Sequence, residues 1–327
     1  MKFGSLFSGI GGFEIGLKTV FPNAECEFFS EIDKFSIQTF LKNFPENQDK
    51  NLGDIERVVF DKNNKNQLSA NDFRLSLLPD IDLLFAGSPC QDLTIAQKNR
   101  KELDGERSRL FFAFLEIIRV KKPKYFLLEN VGSMSQKSRD AISELLGVQP
   151  VRINSRDYCG QKRDRLYWFN WPFIPLKRTA GIDFEQVIDS NVSEEDAPTI
   201  DIDKPNYSSI KDYTGPNRGF AWSKSTRYPK DADKFTENRA TFNRANCLTT
   251  GVGCSNQSSC NVVKDQDRYR YLSPNEAETL QSFPKDWTKG VSRSQRYRQV
   301  GNSVSPNVLI HIFLCLKKNQ QGTNNNE

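Results

Sequence analysis

Histidine is nearly missing from this chain. Its one example, His311, lies in the apolar stretch NVLIHIFLCL with no carboxylate or ligand cluster beside it, and reads as a buried or half-buried helix residue. Acid–base chemistry here must therefore run on carboxylates, cysteine, arginine or water. The seven cysteines (Cys26, Cys90, Cys159, Cys247, Cys254, Cys260, Cys315) are odd in number, scattered and never spaced CxxC, which argues against a disulfide framework or a structural zinc site. No window approaches the roughly 18 consecutive apolar residues of a membrane span. The opening MKFGSLFSG has no basic, apolar and small-residue export pattern, so a cytoplasmic protein is expected. Strong charge of one sign is also lacking: 46 Lys and Arg against 41 Asp and Glu leave +5, which permits an anionic partner without demanding one.

What is present suits an enzyme. The 327 residues can bury a sizeable core in one large domain, or in one large and one small. In the first half, KFGSLF, CEFFS, IDLLFAG, KYFLLEN, PVRIN and LYWFN read as strands. Between them, GGFEIGLKTVF, DKFSIQTFLKNF, LFFAFLEIIRVKK and SRDAISELLG have amphipathic helical spacing. This alternation predicts an α/β fold: a mostly parallel sheet with helices on both faces and ligands at the carboxyl ends of its strands. After Pro172 the texture turns polar and irregular, which predicts a second, smaller domain over 175–289, with 1–174 and 290–327 forming the larger one. Within the smaller region LSPNEAETLQSF carries a capping box, with Ser273 at the N-cap, Pro274 at the first helical position and Glu276 at the third. The last apolar segment, Val304 to Leu316, predicts one helix, and QQGTNNNE after it predicts disorder.

Chemistry concentrates at the predicted strand ends. SLFSGIGGFEIGL is a strand, then Gly9, Gly11 and Gly12, then a helix; such glycines let backbone approach a ligand beside a helix N-terminus. Glu31, about twenty residues on and at the end of the next strand, is placed to accept ribose hydroxyls. Asp54, after Gly53, can accept from an adenine amino group. Together these describe an adenosine pocket without saying whether NAD or S-adenosylmethionine fills it. In LLFAGSPCQDL, Gly87 and Pro89 make a turn that holds Cys90 at the ligand edge, not in the core. A free thiol is only about a few per cent thiolate at neutral pH yet very nucleophilic. FLLENVGSM presents Glu129 and Asn130 at the same edge, where desolvation would favour a protonated carboxyl. In QKRDRLYWF, Arg163 and Arg165 lie two apart, on one side of an extended segment, as a pair that can hold an anionic group.

Taken in order, FSGIGGF, SEIDKF, GDI, GSPCQ, RLFF, LLENV, QKRDRLY, RYLSPNEAETLQSFP and QVGNSVSPNV resemble the DNA (cytosine-5)-methyltransferases from Ser5 to about Asn307, with the variable stretch where that family has its target-recognition domain. The resemblance implies a Rossmann-like, S-adenosylmethionine-dependent methyltransferase sheet with an irregular recognition domain. It implies that Phe7, Ser8, Gly9, Gly11, Gly12 and Phe13 line the methionine side of the cofactor and Glu31 the ribose. Ile32, Asp54 and Ile55 would meet the adenine, and Gly87, Pro89, Leu110, Asn302, Ser303 and Val304 would complete the pocket. Cys90 would be the nucleophile, with Glu129, Arg163 and Arg165 as the other catalytic residues. The substrate would be a cytosine flipped out of double-stranded DNA.

Gln91, Lys98, Arg100 and Arg107 in the segment after Cys90 would contact DNA as a mobile lid. Arg218, Arg227, Arg239, Thr249 and Thr250 would do so from the recognition domain. No metal is implied. A monomer is expected, with a cognate restriction endonuclease, if any, acting separately.

Departures are few. Many members stack a tryptophan on adenine after the ribose glutamate; here Ile32 stands there. PCQDLT replaces the usual PCQxFS and, with SRLFF, is similar to the animal de novo branch, while the lack of an N-terminal regulatory domain favours a bacterial, phage or viral source. Two alternatives remain at this point. One is a transfer RNA methyltransferase of the same family, though its Cys-Phe-Thr tripeptide is absent; the other is an inert DNA-binding homologue, opposed by intact Cys90, Glu129 and Arg163. A cytosine deaminase would need PCxxC and a His-x-Glu zinc site, and PCQDL supplies neither.

Overall fold

Apolar runs with nearly every residue buried need cover on both faces, and that requirement shapes the first of the chain's two compact units. The computed structural model describes residues 1–60, 72–88, 109–176, 182–202, 219–223, 245, 247–248, 259–266 and 268–324. The first unit comprises Met1–Asn154, Asp164–Pro175 and Val308–Glu327. Its sheet contains β1 (Lys2–Leu6), β2 (Glu25–Ser30), β3 (Leu83–Gly87), β4 (Tyr125–Val131), β5 (Val151–Asn154) and β6 (Asp164–Phe169), in the order β2-β1-β3-β4-β6-β5. The first four strands are mutually parallel, whereas β6 runs antiparallel to both β4 and β5. The expected α/β sheet is therefore present, mostly parallel through its centre.

Helices α1 (Gly12–Val20), α2 (Lys34–Asn43), α3 (Ile55–Val59), α4 (Asp72–Ser76), α5 (Arg109–Lys121) and α6 (Gln136–Leu146) alternate with these strands. Side chains of successive strand residues point to opposite faces. On one face Leu84 and Ala86 of β3 join Leu6, Leu128 and Trp168 in a core shared with Ile55 and Val59 of α3, Phe111, Phe114 and Ile117 of α5, and Ile142 of α6. On the other, Phe85 stacks on Phe13 of α1 with ring centroids 5.0 Å apart. Burying such side chains contributes about 2 kcal/mol each.

The second unit consists of Ser155–Arg163 and Leu176–Asn307. This unit extends to Asn307, and the short excursion Ser155–Arg163 goes with it. Among its described residues, β7 (Gly219–Ser223), β8 (Ser259–Asp265) and β9 (Arg268–Tyr271) form an antiparallel sheet in that order. The sequence had suggested only irregular chain here. Asn261, Val262 and Val263 are buried in succession, which erases the alternation that would have marked a strand. Then come α7 (Pro274–Leu280) and α8 (Arg293–Asn302). The capping box at Ser273 and Glu276 is formed as expected.

Glu276 also anchors a buried charge cluster of this unit. Its two oxygens accept from Arg270 Nη1 at 2.8 Å and Nη2 at 2.9 Å, while Arg270 Nε reaches Asp265 Oδ2 at 3.0 Å. The guanidinium is completed by the carbonyls of Tyr271 and Asp189. A buried pair is tolerable only when its remaining hydrogen-bonding capacity is used in this way.

The chain ends in α9 (Pro306–Asn324), which from Val308 on belongs to the first unit. Gly16 of α1 faces it: a Cβ there would stand 2.7 Å from Leu309 Cβ, so the close approach of the two helices requires glycine. Phe313 of α9 lies 6.4 Å from both Phe85 and Trp171, extending the aromatic stack. This helix runs five residues into the segment expected to be disordered. Lys317 Nζ donates to the Val20 carbonyl at 3.2 Å, and the straight-chain Lys and Gln residues beyond it have fair helix propensity.

Arg270→Ala should lower global stability by about 3–5 kcal/mol, because Glu276 would lose the guanidinium paired with its buried carboxylate and Asp265 would be left to its longer contact with Arg268 at 3.7 Å. A clear fall in the urea midpoint is expected; an unchanged midpoint would contradict this role.

Candidate active site

Parallel pairing brings the carboxyl ends of β1, β2, β3 and β4 to one edge of the sheet. The chain leaves β1 for β2 on one side and then crosses to β3 on the other, so the switch point where such sheets hold ligands lies between β1 and β3.

The glycine turn comes directly after β1. Phe7 (φ 56°), Gly9 (φ 56°) and Gly11 (φ 87°) all take left-handed backbone conformations. Gly11, the N-cap of α1, is further constrained because a Cβ would meet the Phe44 ring at 2.4 Å. Phe7 bears strain of about 1 kcal/mol or more, and its side chain is partly buried against the first unit's core. Ser8 N donates to the Ser30 carbonyl at 3.2 Å and Gly11 N to the Ser8 carbonyl at 3.0 Å. Gly12 and Phe13 begin α1.

Glu31, just past β2, organises this corner. Oε2 accepts from Gly9 N at 2.9 Å; Oε1 accepts from Ile32 N at 2.8 Å and Asp33 N at 2.9 Å. A carboxylate offers about four lone-pair sites, so about one remains for an incoming hydroxyl. Asn51, which no sequence pattern singled out, clamps the same corner: Oδ1 accepts from Glu31 N and Gly53 N, and Nδ2 donates to the Glu31 carbonyl. A lone asparagine in KNLGD carries no signal of such a role. Asp54 caps α3 by accepting from Glu56 N at 3.1 Å and pairs with Arg57 Nε at 3.1 Å. Ile32 is 73% exposed, whereas Ile55 is buried.

Behind the turn sits a group that the motifs did not mark. Glu14, in the first turn of α1, is wholly buried, and neither carboxylate oxygen has a hydrogen-bond partner. Ser5 Oγ, the strongest counteracting group, is engaged with Ser8 Oγ at 2.7 Å. Burial pushes the Glu14 carboxyl up to about 7, only partly opposed by Ser5 and Lys18.

Glu129 lies on β4 in register with Gly87 of β3 and Tyr167 of β6. Its Oε2 is 3.6 Å from where a Cβ on Gly87 would stand. Arg165, two residues from Tyr167 and so on the same face of β6, reaches Glu129 Oε1 at 2.9 Å. Both side chains are largely buried, and Glu129 thus has a countercharge in place. The neighbouring Asn130 donates to Ser88 Oγ at 3.0 Å, fixing the first residue after β3.

The two arginines fall in different units. Arg163 belongs to the second unit, where its Nη1 donates to the Leu248 carbonyl at 3.0 Å and its Nη2 to those of Gly301 at 3.0 Å and Ser303 at 2.7 Å. It is buried, and its guanidinium joins three segments of that unit. The alternation argument missed this because β6 begins only at Asp164. Asn302, Ser303 and Val304 are also in the second unit: Asn302 ends α8 exposed, and Val304 is buried. Leu110 of α5 packs against the first unit's core. Pro89, Cys90, Gln91, Lys98, Arg100, Arg107, Arg218, Arg227, Arg239, Thr249 and Thr250 lie outside the described residues. Among the described residues no cluster of His, Cys, Asp and Glu is arranged to hold a metal ion, and no helix is long and apolar enough to cross a membrane.

Comparison with known proteins places these observations in a lineage. The family model described as C-5 cytosine-specific DNA methylase matches residues 1–318. The type II methyltransferase M.NlaX of Neisseria lactamica is 29% identical over 97% of this chain and 96% of its own length. M.HhaI, a type II methyltransferase of Haemophilus parahaemolyticus, is 28% identical over 95% and 93%. Among solved structures, the Entamoeba histolytica methyltransferase EhMeth is similar with a TM-score of 0.67 at 19% identity, covering 97% of each chain, which supports the fold.

The buried Glu14 makes a pH prediction. Its folded value lies above the unfolded one, so its contribution to stability is complete below about pH 4.5 and is lost as pH rises through about 7. Glu14→Gln should abolish that loss, roughly 3 kcal/mol in full. Melting temperatures from pH 5 to 8 should therefore converge on or cross those of the wild type toward pH 8; parallel curves would contradict the burial of a titrating acid.

Proposed function

The chain belongs to the C-5 cytosine-specific DNA methylase family and is a DNA cytosine-5 methyltransferase that uses S-adenosylmethionine, and from that premise we propose which residues carry the reaction. The site suits the cofactor. Space is open around Gly9 in its left-handed turn, a carboxylate with capacity for another hydrogen bond ends β2, and an exposed apolar side chain, Ile32, comes next. The glycine turn from Phe7 to Gly12 with Phe13 would hold the methionine part and Glu31 the ribose. Ile32, Asp54 and Ile55 would meet the adenine, with Gly87, Pro89, Leu110 and Asn302 to Val304 completing the site. When bound, the cofactor supplies an electrophilic methyl carbon on a sulfonium.

The observation that carries the mechanism is Glu129 at the end of β4, beside the Gly87 position that leads to Cys90, with Arg165 bound to its far oxygen. Cys90 adds as thiolate to carbon 6 of cytosine, which moves electron density to carbon 5 and makes it nucleophilic. Glu129 shares a proton with ring nitrogen 3, stabilising the charge that builds there, while Arg165 holds the carboxyl group in place. After methylation, loss of the carbon-5 proton expels the Cys90 thiolate. None of this is possible within a stacked duplex, so the base is flipped out at a cost of a few kcal/mol. Gln91, Lys98, Arg100 and Arg107 offset that cost by closing over the strand and contacting phosphates.

The second unit serves as the target-recognition domain, through Arg218, Arg227, Arg239, Thr249 and Thr250. Arg163 holds this unit's segments together through the carbonyls of Leu248, Gly301 and Ser303. The enzyme acts as a monomer in the cytoplasm on double-stranded DNA, in the manner of a restriction–modification methyltransferase whose endonuclease works separately.

Incubation with cofactor labelled in the methyl group, and with either unmodified DNA or transfer RNA, tests this reading. Label is expected in DNA alone, at cytosines that bisulfite sequencing then identifies. Cys90→Ser should abolish transfer, and Glu129→Gln should slow it roughly 100-fold or more. Label confined to RNA, or full activity in Cys90→Ser, would refute it.

A further inference from the structure

Glu14 has no part in the reaction just described, yet it is the least expected charge in the first unit. It stands in the first turn of α1, three residues past the N-cap Gly11, with both oxygens unpartnered and no exposure to solvent. The groups that act on it are Ser5 from β1, Cys26 from β2, Glu31 just past β2, and Lys18 from its own helix. None of these neutralises it. Lys18 is turned to Glu46 and over the Phe44 ring, Glu31 is committed to three backbone N–H groups, and burial pushes the Cys26 thiol up so that it stays neutral. Ser5 and Ser8 hydrogen-bond each other. An uncompensated buried carboxylate costs stability and has no structural partner to justify it.

The cofactor and its spent form differ in one way that such a group can sense. S-adenosylmethionine carries a positive sulfonium; S-adenosylhomocysteine, which remains after transfer, has a neutral thioether in the same place. We propose that Glu14 is a discriminating residue which, when ionised, favours the cationic cofactor over its neutral product across the glycine turn and thereby eases product release. This rests on the cofactor reading above. The balance is electrostatic only: no bond forms, and the group needs merely to gain or lose one proton. When it is protonated the two ligands are treated alike. By linkage, binding of the cation draws a proton off Glu14, whereas binding of the neutral product does not. Low-dielectric surroundings strengthen such a charge–charge interaction.

Calorimetric titration of the full chain with each ligand at pH 6, 7 and 8, in buffers of different ionisation heat, tests the proposal. In the wild type, the affinity ratio of S-adenosylmethionine to S-adenosylhomocysteine should rise roughly three- to tenfold from pH 6 to 8, the size expected of one added charge in a protein interior. Near pH 7 the cationic ligand should release more protons than the neutral one. In Glu14→Gln both effects should vanish. A flat ratio in the wild type, or the same rise in Glu14→Gln, would overturn the proposal. Should the variant fail to fold, equal proton release by the two ligands in the wild type would overturn it alone. Failure of the wild type to bind either ligand would instead refute the cofactor reading on which it depends.

Discussion

Parallel pairing of β1, β2, β3 and β4 forces four carboxyl ends onto one edge of the sheet, and the crossing of the chain between β1 and β3 opens that edge to a ligand. Each strand end then contributes through residues in it or just past it: the glycine turn after β1, Glu31 after β2, Gly87 at the end of β3 and Glu129 within the last residues of β4. Buried on both faces, the strands hold these ends at fixed spacing. Glu31 illustrates the consequence. Its carboxylate accepts from Gly9 as well as from Ile32 and Asp33, so the ends of β1 and β2 are bound to each other before any ligand arrives. That is preorganisation, and it leaves little ordering to be done on binding.

The antiparallel strand β6 adds what the parallel strands lack. Because its direction is reversed, Arg165 enters from the opposite side and meets Glu129 on the diagonal of the ladder. Two residues earlier the chain is still in the second unit, and there Arg163 serves three backbone carbonyls. A dipeptide spacing thus separates a side chain paired with Glu129 from one that binds backbone carbonyls of the second unit.

Much of the candidate site is legible in the sequence because its residues sit at pattern breaks. Glu31 and Glu129 are acids that end apolar runs, and the glycines interrupt a strand-to-helix junction. The capping box at Ser273 was equally visible, since its chemistry is local. The hidden features depend on tertiary neighbours. Asn51 is one asparagine among many until the fold brings it to Glu31. Glu14 looks like any acid in a first helical turn until the sheet covers it. The small sheet of the second unit hides because Asn261, Val262 and Val263 are all buried.

Every chemical step proposed for this protein requires Cys90 as the nucleophile. DNA in which the target cytosine carries fluorine at carbon 5 cannot lose a proton there, so a thiolate adduct formed during methylation should persist. Mass spectrometry of the trapped complex, after nuclease and protease digestion, should place the methylated fluorocytosine on the peptide containing Cys90. An adduct on another residue, or methylation of ordinary DNA with no trapped adduct at all, would contradict that role.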